Sequence, residues 1–135
     1  MNADSGALPV ITRRNVTAAE LESLRGLLRG VGSDAGLSAQ RTEELTLAVN
    51  EAVTNAIQHA HGRADVFISR DERERAIVVE IVDAGGGIPS GVTGQRPAPV
   101  EIGGRGLFLV RLLCDRVDID TGAGGTRVRL VMALG

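Results

Sequence analysis

The chain has no lysine, tryptophan or tyrosine, and carries only two phenylalanines and one cysteine in 135 residues. Each scarcity excludes something. All fifteen basic residues are arginine, which rules out a G-x-x-x-x-G-K-[ST] phosphate loop, a protein-kinase-type ATP lysine and an S-x-x-K nucleophile. Phe67 and Phe108 are too few for a platform on which bases stack, and a net charge of −2 gives no attraction to a polyanion. No nucleic-acid partner is therefore expected. The lone Cys114 cannot belong to a disulfide framework, and on its apolar stretch it reads as a buried core thiol. No apolar run approaches the ~18 residues of a membrane span, and no leader pattern opens the chain. The expectation is a cytoplasmic protein without membrane contact. Its length suits one domain at 8–135, after a flexible start at 1–7.

What is present is organised around Glu43 to Gly62. Leu45, Ala48, Val49, Ala52, Val53, Ala56, Ile57 and Ala60 recur at three- and four-residue spacing, which predicts an amphipathic helix. Ser38 suits its N-cap, and Ala60-His61-Gly62 its end. Ahead of it, an extended piece at about Leu8 to Arg14 leads to Thr17-Ala-Ala-Glu20, a capping box with Val16 and Leu21 placed as a hydrophobic staple. The helix opened there carries Leu21, Leu24, Leu28 and Val31, and Gly30, Gly32 and the region of Gly36 should end it. A hairpin follows, with strands at Ala64 to Arg70 and Ala76 to Asp83 around a charged loop. The tail returns to strand, with Val117 and Ile119, then Thr126, Val128, Leu130 and Met132, on the apolar faces.

Three features carry chemistry. On the central helix, Glu44, Glu51, Asn55 and His59 form a stripe beside the apolar face. Carboxylate and amide oxygens at that spacing suit Mg²⁺, and a carboxylate beside a core suits a general base. A boundary face of satisfied polar groups would look the same. His59 and His61 lack the cysteines or carboxylates of a zinc site. Asp83 falls on the core side of its strand, sharing a face with Ile77, Val79 and Ile81, while Glu80 points to water. It either needs a buried donor, such as a ligand amino group, or has already left the sheet as a turn residue before Gly85. From Gly85 to Gly104 nothing is periodic and glycine and proline abound, which predicts a lid at about 88–103. Gly103-Gly104-Arg105-Gly106 then runs into Leu107, and free N–H groups at such a helix start suit phosphate.

Taken in order, these pieces resemble the boxes of the GHKL ATPases, the superfamily of gyrase, Hsp90, histidine kinases and MutL. Glu51-x-x-x-Asn55 is similar to the N box, Asp83-x-Gly85-x-Gly87 to the G1 box, Gly104-x-Gly106 to the G2 box, and Gly125-Thr126 to the closing box. The resemblance covers roughly residues 10 to 133. Within the superfamily, EAVTNAIQHAHG and the small size resemble the anti-sigma-factor serine/threonine kinases. The resemblance implies an α+β fold: a two-layer α/β sandwich with a mixed, mostly antiparallel sheet and helices on one face. It further implies ATP bound with Mg²⁺, Glu51 as base, Asn55 on the metal, Asp83 on the adenine amino group, and Thr126 supporting the adenine pocket. Gly104 and Gly106 would grip the phosphates, and His59, Gly85, Gly87, Ile88, Arg105 and Leu107 would complete the nucleotide contacts. The implied partners are a sigma factor and an anti-anti-sigma protein, and the implied assembly is a homodimer.

One departure stands out. The serine-kinase relatives usually carry an arginine shortly before the G2 glycines, where this chain has Ile102; Arg105 or Arg96 would have to stand in. That leaves room for two other readings: an ATP-sensing binding module without kinase activity, or a detached histidine-kinase catalytic domain.

Overall fold

The computed structural model describes residues 10–59, 62–83, 107–122 and 125–134. Strand β1 (Val10–Thr17) leads through a 3-10 turn (Ala18–Glu20) into helix α1 (Leu21–Ala35), which is followed by helix α2 (Ala39–His59). Strands β2 (Arg63–Asp71) and β3 (Ala76–Asp83) form the hairpin; helical residues 107–113, termed α3, precede β4 (Arg116–Gly122) and β5 (Gly125–Ala133). The sheet order is β1-β2-β3-β5-β4, and every described pairing is antiparallel.

Period-two patterning decides which face of the sheet is covered. Val66, Ile81 and Val128 lie in one cross-strand row, and Ile68, Val79 and Leu130 in the next. All are buried, as are Leu45, Ala48, Val49, Ala52, Val53 and Ala56 of α2 in the same core. Helix α2 packs over β2, β3 and β5, and α1 packs against α2 and β1. The result is an α+β sandwich of two layers. On the opposite face Glu80 is half-buried, and its carboxylate lies 3.9 Å from the guanidinium groups of both Arg127 and Arg129. It points away from the core as expected, but toward two arginines.

The first helix departs from expectation in two places. The glutamate arm of the capping box forms, with Thr17 N–H donating to Glu20 Oε1 at 2.9 Å, but it closes a 3-10 turn, and the α-helix proper starts at Leu21. Gly30 and Gly32 do not end α1. The helix runs to Ala35 and stops at Gly36, whose φ of 92° is the left-handed C-cap conformation. Gly32 has another use: a Cβ there would stand 2.7 Å from Thr42 Oγ1 and 2.8 Å from its Cγ2. Its missing side chain is what lets α1 and α2 close on each other. The extended piece near the start is also longer than expected, continuing as β1 to Thr17, with a register irregularity between Val10 and Thr12.

Candidate functional site

Helix α2 is fixed at its start by Ser38, whose Oγ accepts the Arg41 N–H at 3.1 Å. From there the polar stripe runs along the edge of the buried face, with Glu44, Glu51 and Asn55 all half-buried. Its members separate by their partners. Glu44 accepts from Gln40 Nε2 at 3.1 Å and from Arg41 Nη1 at 2.8 Å. These two hydrogen bonds, Gln40's first, hold its carboxyl below the ordinary range. Glu44 is thus engaged within its own helix and belongs to the structure, not to the chemistry. Glu51 and Asn55, one turn apart, are the oxygen-bearing pair left along the described part of the stripe.

Asp83 settles the alternative left open by its position. It does not leave the sheet as a turn residue; it is the last residue of β3, 4% exposed, and stands in register opposite Thr126 of β5. An inward carboxylate and an inward threonine are thereby juxtaposed at one end of the sheet. An open cavity of about 260 Å³ at these strand ends is lined by Asp83 and Thr126 together with Val82, Asp120, Gly122, Gly125 and Arg127, five positions that strand alternation places with Glu80 on the outer face, away from α2. Asp120 and Arg127 are the residues that motif reading missed. They are directly opposed on β4 and β5, and that pairing puts them on the outer face, not on the inward side that Asp83 and Thr126 share.

Leu107 is buried at the beginning of the described part of α3, and Val110 and Cys114 continue its inner face. The expected contacts at Gly85, Gly87, Ile88, Gly104, Arg105 and Gly106 lie outside the described residues, as do the lid at 88–103, Ile102 and Arg96. His59 is the last residue of α2, and its side chain too is outside what is described.

The donor set fits the groups that the boxes imply. Among the described residues no three or more His, Cys, Asp or Glu side chains gather into a metal cage. Mg²⁺ needs no such cage, because it is commonly held by one or two protein oxygens together with substrate phosphates and water. The Asn55 and Glu51 oxygens are of that kind. A carboxylate such as that of the buried Asp83 accepts hydrogen bonds only, which suits an amino donor.

The model of the histidine kinase-like ATPase domain matches residues 15–132. The serine-protein kinase RsbW of Listeria innocua is 35% identical over 104 residues, covering 68% of this chain and 66% of that protein. RsbW of Staphylococcus aureus is 33% identical over 130 residues, covering 86% and 82%. The chain thus spans 66% of the length of the Listeria relatives it matches. Two solved structures share the fold. One holds the RsbU and RsbW domains of a Mycobacterium tuberculosis protein, with a TM-score of 0.66, 19% identity, and coverage of 91% of this chain and 32% of that one. The other is the SiaB–SiaC complex of Pseudomonas aeruginosa, with a TM-score of 0.66, 12% identity, and coverage of 91% and 89%. With residues 15–132 inside the family model and the Staphylococcus aureus RsbW 33% identical over most of both chains, the chain belongs to the histidine kinase-like ATPase domains, among the relatives of the RsbW serine-protein kinases.

Proposed function

We propose that this protein is an Mg²⁺-ATP-dependent serine/threonine protein kinase and anti-sigma factor, which phosphorylates an anti-anti-sigma partner and sequesters a sigma factor. The observation that carries the reading is the buried Asp83, paired with Thr126 at the end of the sheet face that α2 covers. In this reading Asp83 accepts from the adenine amino group and Thr126 supports the ring. Asn55 holds Mg²⁺, which supplies charge neutralisation at the phosphates. Glu51 orients the partner's serine hydroxyl and takes its proton as that oxygen bonds to the terminal phosphorus; the bond from this phosphorus to the bridging oxygen breaks, and ADP leaves. The names of the RsbW relatives support the kinase assignment.

Transfer and binding separate at Glu51. Glu51→Gln keeps size and hydrogen bonding but has no base, and general-base loss typically costs about 10²–10⁴ in rate. Mixing γ-labelled ATP with a candidate anti-anti-sigma partner should label a serine with the wild-type protein and only a small fraction of it with Glu51→Gln. Both proteins should bind ATP equally well in calorimetry. Equal transfer rates would remove Glu51 from the chemistry. Ile102 favours one second reading, a nucleotide-sensing switch that holds its partner without phosphorylating it. No labelling by the wild type of any cognate partner, with ATP binding intact, would select that switch.

A further inference from the structure

We infer that Arg41 and Asp115 form a positioning clamp that sets α3 against α2, and so sets the Glu51–Asn55 stripe relative to the phosphate end of a bound nucleotide. The inference rests on the ATP-binding reading above and adds to it a pair that touches no ligand. One guanidinium serves three acceptors. Arg41 Nη1 donates to Glu44 Oε1 at 2.8 Å, which fixes the arginine on its own helix, and to the Leu113 carbonyl oxygen at 3.4 Å. Its Nη2 donates to Asp115 Oδ2 at 2.7 Å. That same carboxylate oxygen accepts the Ala133 N–H at 2.7 Å, and Asp115 N–H donates to the Val131 carbonyl oxygen at 3.0 Å. The first turns of α2, the end of α3 and the last strand therefore meet at one junction.

The junction lies away from the stripe it would govern. Glu51 is ten residues along α2 from Arg41, roughly 15 Å at the helical rise. Leu107, six residues before Leu113, stands at the other end of α3. A tie at one end of two packed helices restricts how the far ends slide, and small misplacements near reacting groups are costly. Most half-exposed ion pairs do little of this kind. This one differs because the planar fork of an arginine joins α2 to the end of α3 and, through Asp115, to the last strand, and a lysine could not reach all three acceptors at once. The Arg29–Glu43 pair, at 2.9 Å and 3.3 Å between α1 and α2, has the same chemistry without any link to α3. It is the natural control.

The test compares ATP and adenosine as competitors for a fluorescent ATP analogue, in wild type, Arg41→Ala, Asp115→Asn and Arg29→Ala. Adenosine engages the Asp83 end alone. Cys114 next to the junction, the chain's one cysteine, gives a second readout through its rate of modification by a thiol reagent. Arg41→Ala should weaken ATP by about three- to tenfold, leave adenosine within about twofold, and speed Cys114 modification at least about threefold. Asp115→Asn, which keeps an acceptor for Ala133 N–H, should follow in the same direction, and Arg29→Ala should change none of these. A parallel loss of ATP and adenosine, or unchanged ATP affinity in a folded Arg41→Ala protein, overturns the clamp. If the wild type binds no ATP, the proposed function fails on its own account. Cys114 modification then decides the clamp, faster in Arg41→Ala if the junction ties the helices and unchanged if it does not.

Discussion

A carboxylate held 4% exposed at a strand end costs free energy unless donors meet it, and Asp83 is held there by its register opposite Thr126. In the proposed function the arrangement selects the base that meets it. Adenine offers an amino group where guanine offers a carbonyl oxygen, which would set two acceptors face to face. Asp83→Asn should therefore weaken ATP binding by about 1–3 kcal/mol, and the wild type should prefer ATP to GTP, both measurable by calorimetry. Equal affinities would sink the adenine assignment. Glycines make the complementary case, where the absent side chain matters. Gly32→Ala must push its Cβ into Thr42, whose β-branched side chain has little rotamer freedom in a helix. We expect a net loss of about 1–3 kcal/mol in chemical denaturation. Gly30→Ala meets nothing within 4 Å and should gain up to about 1 kcal/mol from helix propensity alone. Similar shifts for the two would mean that the helix contact at Gly32 is looser than its geometry says.

Among the elements, α2 was the most legible and α1 the least. The spacing of Leu45, Ala48, Val49, Ala52, Val53 and Ala56 announces a buried stripe because periodicity is a direct record of which face meets the core. The half-buried places of Glu51 and Asn55 beside that stripe follow from the same spacing. The end of α1 did not, since two glycines inside a helix and one at its cap look alike in a chain. Which one stops it depends on whether a neighbour needs the space, and that neighbour is Thr42, ten residues on. Asp83 was ambiguous for a similar reason. Strand alternation put it inward, but only the hydrogen-bonded partner strand shows that the sheet continues that far. The pairing of Asp120 with Arg127 on the outer face was not legible at all, because it follows from β4–β5 register and from no motif.

For the molecule as a whole, the order β1-β2-β3-β5-β4 places the strand bearing Asp83 in the centre, paired on one side within its own hairpin and on the other with the chain's last strand. The adenine end of the proposed site is thus not local. It requires the last strand to be seated, and the seam at Arg41, Asp115 and Cys114 lies beside that strand. Lysine and tyrosine, the side chains that ordinarily titrate near pH 10, are both missing from the chain. Cys114 remains, and burial first, then Asp115 and Glu44 against the opposing Arg41, pushes its thiol up to about 12 from 9.0. In the unfolded chain this thiol gives up its proton near the lower value, while in the folded chain it keeps it to the higher one. Its contribution to stability is therefore complete below about pH 9 and is lost as the pH rises toward 12. Denaturation midpoints measured from about pH 8 to 11 should fall for the wild type and stay nearly level for Cys114→Ala. A fall that persists in the variant would assign the proton elsewhere. With the usual alkaline buffers absent from the sequence, the loss of stability at high pH becomes a one-proton gauge of whether the last strand is closed against its helices.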